Sequence, residues 1–272
     1  MSEARRAFGR FAEGPVAVFA GTVEGRLLCE RLSAAGRSAR AFVATEYGGE
    51  LVEGLPGIEV NVGRLDARAM GRALAGAAVA VDATHPYALE ASANVRAAAE
   101  AAGVAYVRLV RPSTLAGTEG AWPGDEVIAA TVPDAASAAA FLAREEGDVL
   151  LATGSKDLGA YAAEKGLAER CWPRVLPDAA TVERCRDLGF PESHVICMQG
   201  PFGEDMNVAL LRHCGARWMV TKDTGRAGGF PEKIAAARKA GARIVLICRP
   251  DPDEQGLSLK EVLALLGLDV RG

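Results

Sequence analysis

Short apolar runs alternate with amphipathic, alanine-rich stretches along most of the chain. In the first half, the runs have the length and composition of buried β-strands. The strands predicted there are Val16–Ala20, Ala39–Ala44, Ile58–Val62, Val79–Asp82, Val104–Arg108 and Glu126–Thr131. The predicted helices are Arg26–Ala35, Ala67–Ala75 and Leu89–Ala102, and a glycine, which commonly ends a helix, follows each of them. Strands and helices alternating at this interval indicate a parallel sheet with right-handed crossovers.

The same alternation returns in the second half. Its predicted strands are Val149–Thr153, Cys171–Leu176, His194–Gln199, Arg217–Thr221 and Arg243–Cys248, and its predicted helices are Asp178–Leu188, Glu204–His213, Pro231–Ala240 and Ser258–Leu266. Between the halves, Leu109–Gly124 lacks periodicity and contains prolines, which indicates a loop or an interdomain connection. We therefore predict an α/β protein with two Rossmann-like domains, residues 15–132 and 133–272, after a flexible N-terminal tail at residues 1–14.

Composition narrows the partners that the chain is expected to have. Its formal net charge is only −4 and no long basic stretch occurs, so we expect neither nucleic-acid nor membrane binding. No window approaches the about 18 to 20 apolar residues that a membrane helix requires. The six cysteines form no C-x-x-C pair. We expect reduced thiols in a cytoplasmic protein and no bound metal, with His194-x-x-Cys197 and His213-Cys214 as the only ligand-like neighbours.

A glycine-containing turn follows the first strand and has the sequence Gly21-Thr22-Val23-Glu24-Gly25-Arg26. Glycine lets the backbone approach a ligand closely, and the start of the next helix offers N–H groups to an anion. We predict that this turn binds a nucleotide cofactor, although its G-x-x-x-G spacing differs from the dinucleotide fingerprint G-x-G-x-x-G. Glu24 has two interpretations, cofactor contact or a helix cap paired with the backbone of Gly21.

An acidic residue follows the second strand, at Thr45-Glu46. In dinucleotide-binding folds, an acid at this place hydrogen-bonds the adenosine ribose, and it repels a 2′-phosphate. Thr45 and Glu46 are therefore predicted cofactor residues that favour NADH over NADPH. The alternative is that Glu46 is a solvated carboxylate of a loop.

The turn after the fourth strand is the richest in polar chemistry, with the sequence Asp82-Ala83-Thr84-His85-Pro86-Tyr87. Pro86 restricts His85 to an extended conformation and is tolerated at a helix start, so the imidazole is held at the end of the strand. Histidine is the side chain most easily poised near neutral pH. We predict that Thr84, His85 and Pro86 contact the cofactor, and that Asp82, His85 and Tyr87 are candidate catalytic residues, with helix capping as the alternative for Asp82 and Thr84.

Positively charged residues end several strands of the second half. The predicted substrate-binding residues there are Lys156, Arg174, Gln199, Gly200, Lys222, Asp223, Thr224 and Arg249. Clustered cations at a cleft suit a substrate with several carboxylates. We predict that they face an active-site cleft between the two domains, with Asp223 as a further candidate proton donor.

A short-chain dehydrogenase signature also occurs, at Tyr161-x-x-x-Lys165. It falls in the second half instead of within one continuous Rossmann domain, and Ser155 is too close in sequence to be that family's serine. We interpret the pair as an ordinary helix face.

Taken together, these turns resemble the precorrin-6A reductases of cobalamin biosynthesis. The resemblance depends on seven runs in order, Gly21-Thr22-x-Glu24-Gly25-Arg26, Asp82-Ala83-Thr84-His85-Pro86-Tyr87-Ala88, Arg108-x-x-Arg111-Pro112, Thr153-Gly154-Ser155-Lys156, Arg174-Val175-Leu176-Pro177, Gln199-Gly200-Pro201-Phe202 and Thr221-Lys222-Asp223-x-Gly225. The run Thr45-Glu46-Tyr47-Gly48 resembles the cobalt-pathway branch more than the aerobic one.

The resemblance implies an enzyme that uses NADH or NADPH to reduce one C=C bond of precorrin-6A, or of its cobalt complex, giving the corresponding precorrin-6B. It implies a tetrapyrrole substrate and no metal held by the protein. Two other classes stay open, a short-chain-dehydrogenase-like oxidoreductase of a small substrate and a non-enzymatic protein that binds a nucleotide or a tetrapyrrole. The proton donor, water included, and the choice between monomer and homodimer also stay open.

Overall fold

The structure is a computed structural model that describes residues 14–110, 126–224, 228–250 and 256–268. Three sequence predictions therefore lie outside the described residues. They are the tail apart from Gly14, most of the connection Leu109–Gly124, and the motif residues Arg111, Pro112 and Gly225.

The chain divides into two compact units, and the division differs from the predicted boundary. The first unit comprises Met1–Pro112 together with Asp253–Gly272, and the second comprises Ser113–Pro252. The predicted division into residues 15–132 and 133–272 is therefore wrong in two places. The strand predicted at Glu126–Thr131 pairs in the second sheet, and the C-terminal helix packs on the first unit.

The first unit is built on a five-stranded parallel sheet in the order β3-β2-β1-β4-β5. Its strands are β1 (Val16–Ala20), β2 (Ala39–Val43), β3 (Ile58–Val62), β4 (Val79–Ala83) and β5 (Ala105–Arg108). Four helices connect them or follow them: α1 (Val23–Ala34), α2 (Glu46–Glu50), α3 (Ala67–Ala73) and α4 (Leu89–Ala102). The strand order matches the first five strands of the Rossmann order 3-2-1-4-5-6, which confirms the predicted fold class.

Apolar residues cover both faces of this sheet. Val16 and Val18 of β1 point into one core cluster, whereas Ala17 and Phe19 point into the cluster on the opposite face. Successive residues of a strand face opposite sides, so a parallel sheet covered by helices needs apolar residues at every position. The continuous apolar run at the start of the chain follows from this requirement.

The second unit contains a six-stranded parallel sheet in the order β6-β11-β10-β7-β8-β9. Its strands are β6 (Ile128–Val132), β7 (Asp148–Leu151), β8 (Cys171–Val175), β9 (Ile196–Cys197), β10 (Ala216–Lys222) and β11 (Arg243–Ile247). Its helices are α5 (Ala135–Leu142), α6 (Leu158–Ala162), α7 (Ala179–Asp187), α8 (Glu204–His213) and α9 (Phe230–Ala240). None of the helices in the described ranges is long and apolar enough to cross a membrane.

Two helices that the pattern did not predict occur, namely α2 and α5, and α6 contains only Tyr161 and Ala162 of the helix face predicted at Tyr161-x-x-x-Lys165. The N-terminal end of α2 is capped by Thr45 and that of α5 by Asp134, whose side-chain oxygens accept hydrogen bonds from the backbone three residues on. Such caps allow a helix too short to show a clear apolar period. The predicted strand His194–Gln199 is correspondingly shorter, because a 3-10 helix at Glu192–His194 precedes the two residues of β9.

A final helix, α10 (Leu259–Leu265), packs on the first unit. Val262, Leu263 and Leu266 lie in the same core cluster as Val16 and Leu28. The chain enters this helix through Leu257, which forms a parallel bridge with Leu109 next to β5. The prediction of Ser258–Leu266 as a helix is confirmed, but the helix belongs to the first unit.

We expect Leu263→Ala to destabilise the first unit by about 2–5 kcal/mol, because the substitution leaves a cavity in a packed core. Urea unfolding followed by far-ultraviolet circular dichroism measures the loss. Lys260→Ala, an exposed change on the same helix, is the matched control and should leave the unfolding midpoint almost unchanged. Equal midpoints for both variants would show that α10 adds no stability.

Candidate functional site

The two polar turns predicted in the first unit meet at the carboxyl ends of β1 and β4. The backbone N–H of Gly21 and the hydroxyl of Thr22 both donate to the carbonyl oxygen of Ala83, each at 3.1 Å. β1 and β4 are neighbours in the sheet, and the strands that follow them lie on opposite sides of the pair. In open α/β sheets, ligands bind outside the strand ends at such a switch point.

Gly21 and Gly25 are required by the close approach of these turns. A Cβ atom on Gly21 would lie 3.3 Å from the backbone of Thr84 and His85, and one on Gly25 would lie 3.0 Å from the Cβ atom of Ala83. Larger side chains at either place would push the two turns apart. The predicted pair of glycines therefore shapes the candidate site, whichever ligand occupies it.

Helix α1 begins at Val23, three residues before the predicted start. Thr22 is its N-cap, and its hydroxyl oxygen accepts from the backbone N–H of Gly25 at 3.2 Å. Of the two interpretations of Glu24, the cap paired with Gly21 is therefore wrong, because Thr22 is the N-cap, and cofactor contact stays a prediction. Arg26 forms an ion pair with Glu30 one turn further along the helix.

Asp82 is the buried centre of a hydrogen-bond network below the β4–α4 turn. One of its carboxylate oxygens accepts from the backbone N–H of Thr84 at 3.0 Å, the Thr84 hydroxyl at 2.7 Å and the Arg108 guanidinium at 3.0 Å. The other accepts from the hydroxyl of Tyr106 at 2.8 Å. Burial and the Asp82 charge raise the pKa of Tyr106. Asp82 is fully buried, so this geometry suits a positioning residue and does not support its predicted role as a proton donor.

His85 and Tyr87 remain half-buried at the surface of the same turn. The backbone N–H of Tyr87 lies 3.4 Å from Nδ1 of His85, and their ring centroids are 5.5 Å apart. Helix α4 starts at Leu89, as predicted, and Pro86 lies in the loop before it. The two rings are thus the side chains of this turn that present titratable groups near the switch point.

The acidic position after β2 begins a helix instead of lying in a loop. The Thr45 hydroxyl oxygen accepts from the backbone N–H of Gly48 at 3.1 Å and caps α2. Glu46 is exposed in the first turn of that helix. Because β2 is the sheet neighbour of β1, Glu46 follows the strand next to the Gly21 turn. This is the relative position at which a dinucleotide fold places its ribose-binding acid.

In the second unit, two of the predicted cations, Lys222 and Arg249, form ion pairs with carboxylates of the same unit. At the switch point between β7 and β10, the ammonium of Lys222 lies 2.6 Å from a carboxylate oxygen of Asp157. Arg249 and Asp223 are both buried, with Nε of the arginine 3.5 Å from Oδ2 of the aspartate. The charge of Arg249 is thus paired inside the unit, which gives no support to its predicted role in binding a substrate carboxylate. This burial also fails to support Asp223 as a proton donor.

The remaining predicted residues lie around these pairs. Lys156 is exposed, and its backbone oxygen accepts from Arg184 at 3.2 Å. The hydroxyl of Thr224 donates to the backbone oxygen of Gly228 at 2.9 Å. Gln199 is exposed, and Gly200 allows close contact with the ring of Phe202, which a Cβ atom would meet at 3.0 Å.

Arg174 differs from the other cations because its partners are neutral. Its guanidinium donates to the side-chain oxygen of Asn207 at 2.8 Å and lies 4.0 Å from the centroid of the Phe202 ring. Burial lowers the pKa of Arg174 to about 10. Sequence reasoning missed Asn207 and also the buried Lys233 of α9. The signal for Lys233 was its place on an apolar helix face with Phe230, Ile234 and Ala237.

The Tyr161-x-x-x-Lys165 pair does not form a dehydrogenase site. Tyr161 is fully buried, and burial raises the pKa of its hydroxyl. Helix α6 ends at Ala162, and Lys165 is exposed beyond it. The interpretation of the pair as one helix face is therefore wrong, and the geometry gives no support to the short-chain-dehydrogenase alternative. No group of three or more His, Cys, Asp and Glu side chains is placed to hold a metal within the described residues.

Two parallel sheets with polar loops at their switch points define a Rossmann-like α/β protein. A solved structure of the same architecture, CobK precorrin-6A reductase, aligns with a TM-score of 0.71 and 27% identity over 95% of this chain and 100% of that one. The family model described as precorrin-6x reductase CbiJ/CobK matches residues 15–267. The chain belongs to this family, which confirms the predicted resemblance and the predicted enzyme class.

Curated relatives support the assignment over nearly the whole chain. The cobalt-precorrin-6A reductase of Salmonella typhimurium is 37% identical over 252 residues, 92% of each chain. That of Methanothermobacter thermautotrophicus is 34% identical over 244 residues, 89% of this chain and 78% of the relative. Because the match spans both units, the family assignment applies to the whole two-unit architecture.

We expect Asp82→Asn to lower the free energy of unfolding by about 3–5 kcal/mol, since it leaves the buried Arg108 guanidinium without its counter-charge. Chemical denaturation measures the difference. Glu90→Gln makes the same chemical change at an exposed position of α4 and should have little effect. If both variants unfold at the same denaturant concentration, the Asp82–Arg108 pair does not stabilise the fold.

Proposed function

We propose that this protein reduces one C=C bond of cobalt-precorrin-6A, with a reduced nicotinamide cofactor, to give cobalt-precorrin-6B in cobalamin biosynthesis. The observation that carries the proposal is the family match across residues 15–267, together with relatives named cobalt-precorrin-6A reductase. Metal-free precorrin-6A is the second candidate, because a relative from Rhodobacter capsulatus that is named precorrin-6A reductase is 29% identical over 238 residues.

The first unit is the proposed cofactor-binding unit. Gly21 is exposed at the switch point. Because Gly21 and Gly25 have no Cβ atom, the backbone of the β1–α1 loop can lie close to the β4–α4 turn. Glu46 follows the neighbouring strand, as a ribose-binding acid would. These features fit a dinucleotide across the ends of β1 and β4, and the carboxylate of Glu46 favours NADH.

The reaction needs a hydride and a proton. When bound, the reduced nicotinamide supplies the hydride to one carbon of the C=C bond, and an acid delivers a proton to the other carbon. Two C–H bonds form, the π bond is lost, and the cofactor leaves oxidised. We propose that His85 either orients the nicotinamide or donates this proton, with Tyr87 as the neighbouring alternative.

Asp82 supports His85 indirectly. Arg108 bridges the carboxylate of Asp82 and the carbonyl oxygen of Thr84, the residue before His85. This network fixes the turn whose side chains face the switch point. Asp82 is thus a positioning residue in the proposed mechanism.

The second unit is the proposed tetrapyrrole-binding unit. Lys156, Lys222 and Arg174 lie at or just after strand ends of its sheet and suit the carboxylates of the macrocycle. The buried Arg249–Asp223 pair holds the segment after β10 against the end of β11. Binding between the two units, a cytoplasmic location and a monomeric or dimeric state stay predictions.

Enzymatic turnover separates the proposal from a non-enzymatic binding role. Purified protein mixed with cobalt-precorrin-6A should consume NADH, followed as loss of the near-ultraviolet absorbance of the reduced nicotinamide. Parallel reactions with precorrin-6A and with NADPH identify the preferred ring and cofactor. No consumption with either ring would overturn the reductase assignment.

For the proposed role of His85, we expect His85→Ala to lower kcat at saturating cofactor by about 100-fold or more, the usual contribution of a positioned acid. Tyr87→Phe, which keeps the ring but loses the hydroxyl, should change kcat far less. Unchanged turnover in His85→Ala would remove His85 from the mechanism, and a larger loss in Tyr87→Phe would identify the tyrosine as the donor.

The preference of the enzyme for NADH or NADPH tests the proposed contact between Glu46 and the cofactor ribose. Removing its charge by Glu46→Gln should raise kcat/KM for NADPH relative to NADH by about tenfold, because a carboxylate no longer repels the 2′-phosphate. Glu50→Gln removes an exposed charge from the same helix and is the matched control. An unchanged ratio in the Glu46 variant would assign the residue to a solvated helix end.

A further inference from the structure

Two positively charged side chains lie buried near each other in the second unit. Arg174 is the penultimate residue of β8, and its guanidinium lies 4.0 Å from the centroid of the Phe202 ring. Lys233 lies near the start of α9, whose N-cap Gly229 approaches the carbonyl oxygen of the same Phe202. Arg174 and Lys233 each have only 7% of their surface exposed. Among the described residues, no carboxylate forms an ion pair with either of them, although burial of an uncompensated charge is costly.

The partners that the two cations do have are neutral and leave donors unused. Arg174 donates to Asn207, whose own amide group donates to the backbone oxygens of Phe202 and Gly203. Within the described ranges, the ammonium of Lys233 has one acceptor, the backbone oxygen of Gly228 at 3.3 Å. A guanidinium carries five N–H donors and an ammonium three, so both groups retain capacity for an anionic oxygen.

The surrounding charges leave this place positive. Helices α8 and α9 both begin beside it, at the N-caps Gly203 and Gly229, which as glycines have no side chain to cap the first backbone N–H groups. Helix N-termini add partial positive charge. Glu232 is the nearby carboxylate, and its Oε2 is buried without a hydrogen-bond partner among the described atoms. Glu232 is therefore one carboxylate beside two cations, while Glu204 and Asp205 in the first turn of α8 offset the positive charge of that helix end.

The other described carboxylates of α8 and α9 form no ion pair with Arg174 or Lys233. Glu204 and Asp205 of α8 lie 3.4 and 3.5 Å from Lys239, an exposed lysine further along α9. Burial, and next the charge of Arg174, lower the pKa of Lys233 to about 8, while Glu232 opposes the shift. The unliganded protein therefore holds these two cations together at a free-energy cost that an anion would relieve.

We infer that Arg174 and Lys233 together bind one carboxylate of the tetrapyrrole substrate, with Phe202 and Asn207 holding the guanidinium in place. The inference rests on the proposed function and adds Lys233 to the binding residues. The shared chemistry is an anionic oxygen group, for which a phosphate of the cofactor is the other source. We assign the carboxylate, because the cofactor features lie in the first unit and this pair lies in the second.

Lys233→Met tests the assignment, because methionine keeps the length of the side chain and removes its charge. Lys239→Met removes a charge from the same helix away from the pair and is the matched control. The probes are cobyrinic acid, a corrin with free carboxylates, the same corrin with its side chains converted to amides, and NADH and NADPH. Isothermal titration calorimetry measures the Kd of each.

We expect Lys233→Met to weaken cobyrinic acid binding by about tenfold or more, the loss of a charge-assisted hydrogen bond. Binding of the amide form and of both nicotinamide cofactors should stay within about twofold of the wild type. Lys233→Arg should recover part of the lost affinity. Because repulsion is relieved, unliganded Lys233→Met should unfold at a temperature equal to or above that of the wild type, which a merely structural lysine would not predict.

Proton uptake provides a second measurement. A bound carboxylate raises the pKa of Lys233, so near pH 8 the wild type should take up about half a proton when cobyrinic acid binds. Titrations in two buffers with different ionisation enthalpies measure this uptake. The Lys233→Met variant should lose it.

The outcomes distinguish this inference from the proposed function. If the wild type oxidises NADH with cobalt-precorrin-6A but Lys233→Met binds cobyrinic acid normally, the inference is overturned and the function stands. If Lys233→Met weakens nicotinamide cofactor binding instead, the anion is a phosphate and the carboxylate assignment fails. If the wild type neither binds corrins nor reduces the substrate, both fail together.

Discussion

The buried ion pair between Asp82 and Arg108 is the interaction on which the first unit's site depends. Arg108 donates to the carboxylate of Asp82 and to the carbonyl oxygen of Thr84, while its own backbone oxygen accepts from Leu257. One residue thus connects the β4–α4 turn to the segment that leads into the C-terminal helix. With the β4–α4 turn held in this way, the carbonyl oxygen of Ala83 accepts hydrogen bonds from Gly21 and Thr22 of the β1–α1 loop. The geometry of the candidate site therefore depends on the Asp82–Arg108 pair.

In the second unit, some of the partly or fully buried cations form ion pairs and others do not. Lys222 and Arg249 form ion pairs with carboxylates near the ends of their strands, so their charges stabilise the loops of the unit itself. Arg174 and Lys233 form no ion pair in the described part of the chain; Arg174 donates to Asn207 of α8, and Lys233 lies near the start of α9. Two cations without an ion-pair partner among the described residues are therefore buried in this unit, where the low dielectric strengthens any interaction with an anion.

Sequence reasoning was most reliable where local chemistry decides the outcome. The ends of α8 and the order of strands and helices follow from apolar period and glycine stops, and all the predicted strands occur, some with shifted ends. The predictions were wrong or incomplete where the same side chain could form more than one set of hydrogen bonds. Glu24 was a possible capping partner of Gly21, but the neighbouring Thr22 hydroxyl took the N-cap position, and this moved the start of α1. Asp82 was a candidate acid by type, but Tyr106 and Arg108 reach its carboxylate only when β4 and β5 pair.

By itself, the sequence determined the α/β class, the polar turns at the strand ends and the family, because these depend on periodicity and short motifs that act within a few residues. Tertiary structure alone decided that the C-terminal helix returns to the first unit and that β6 pairs in the second sheet. It also decided which charges are paired and which are buried without a counter-charge. Those outcomes depend on contacts between residues far apart in the chain, and a local pattern carries no information about which distant partner a side chain will meet.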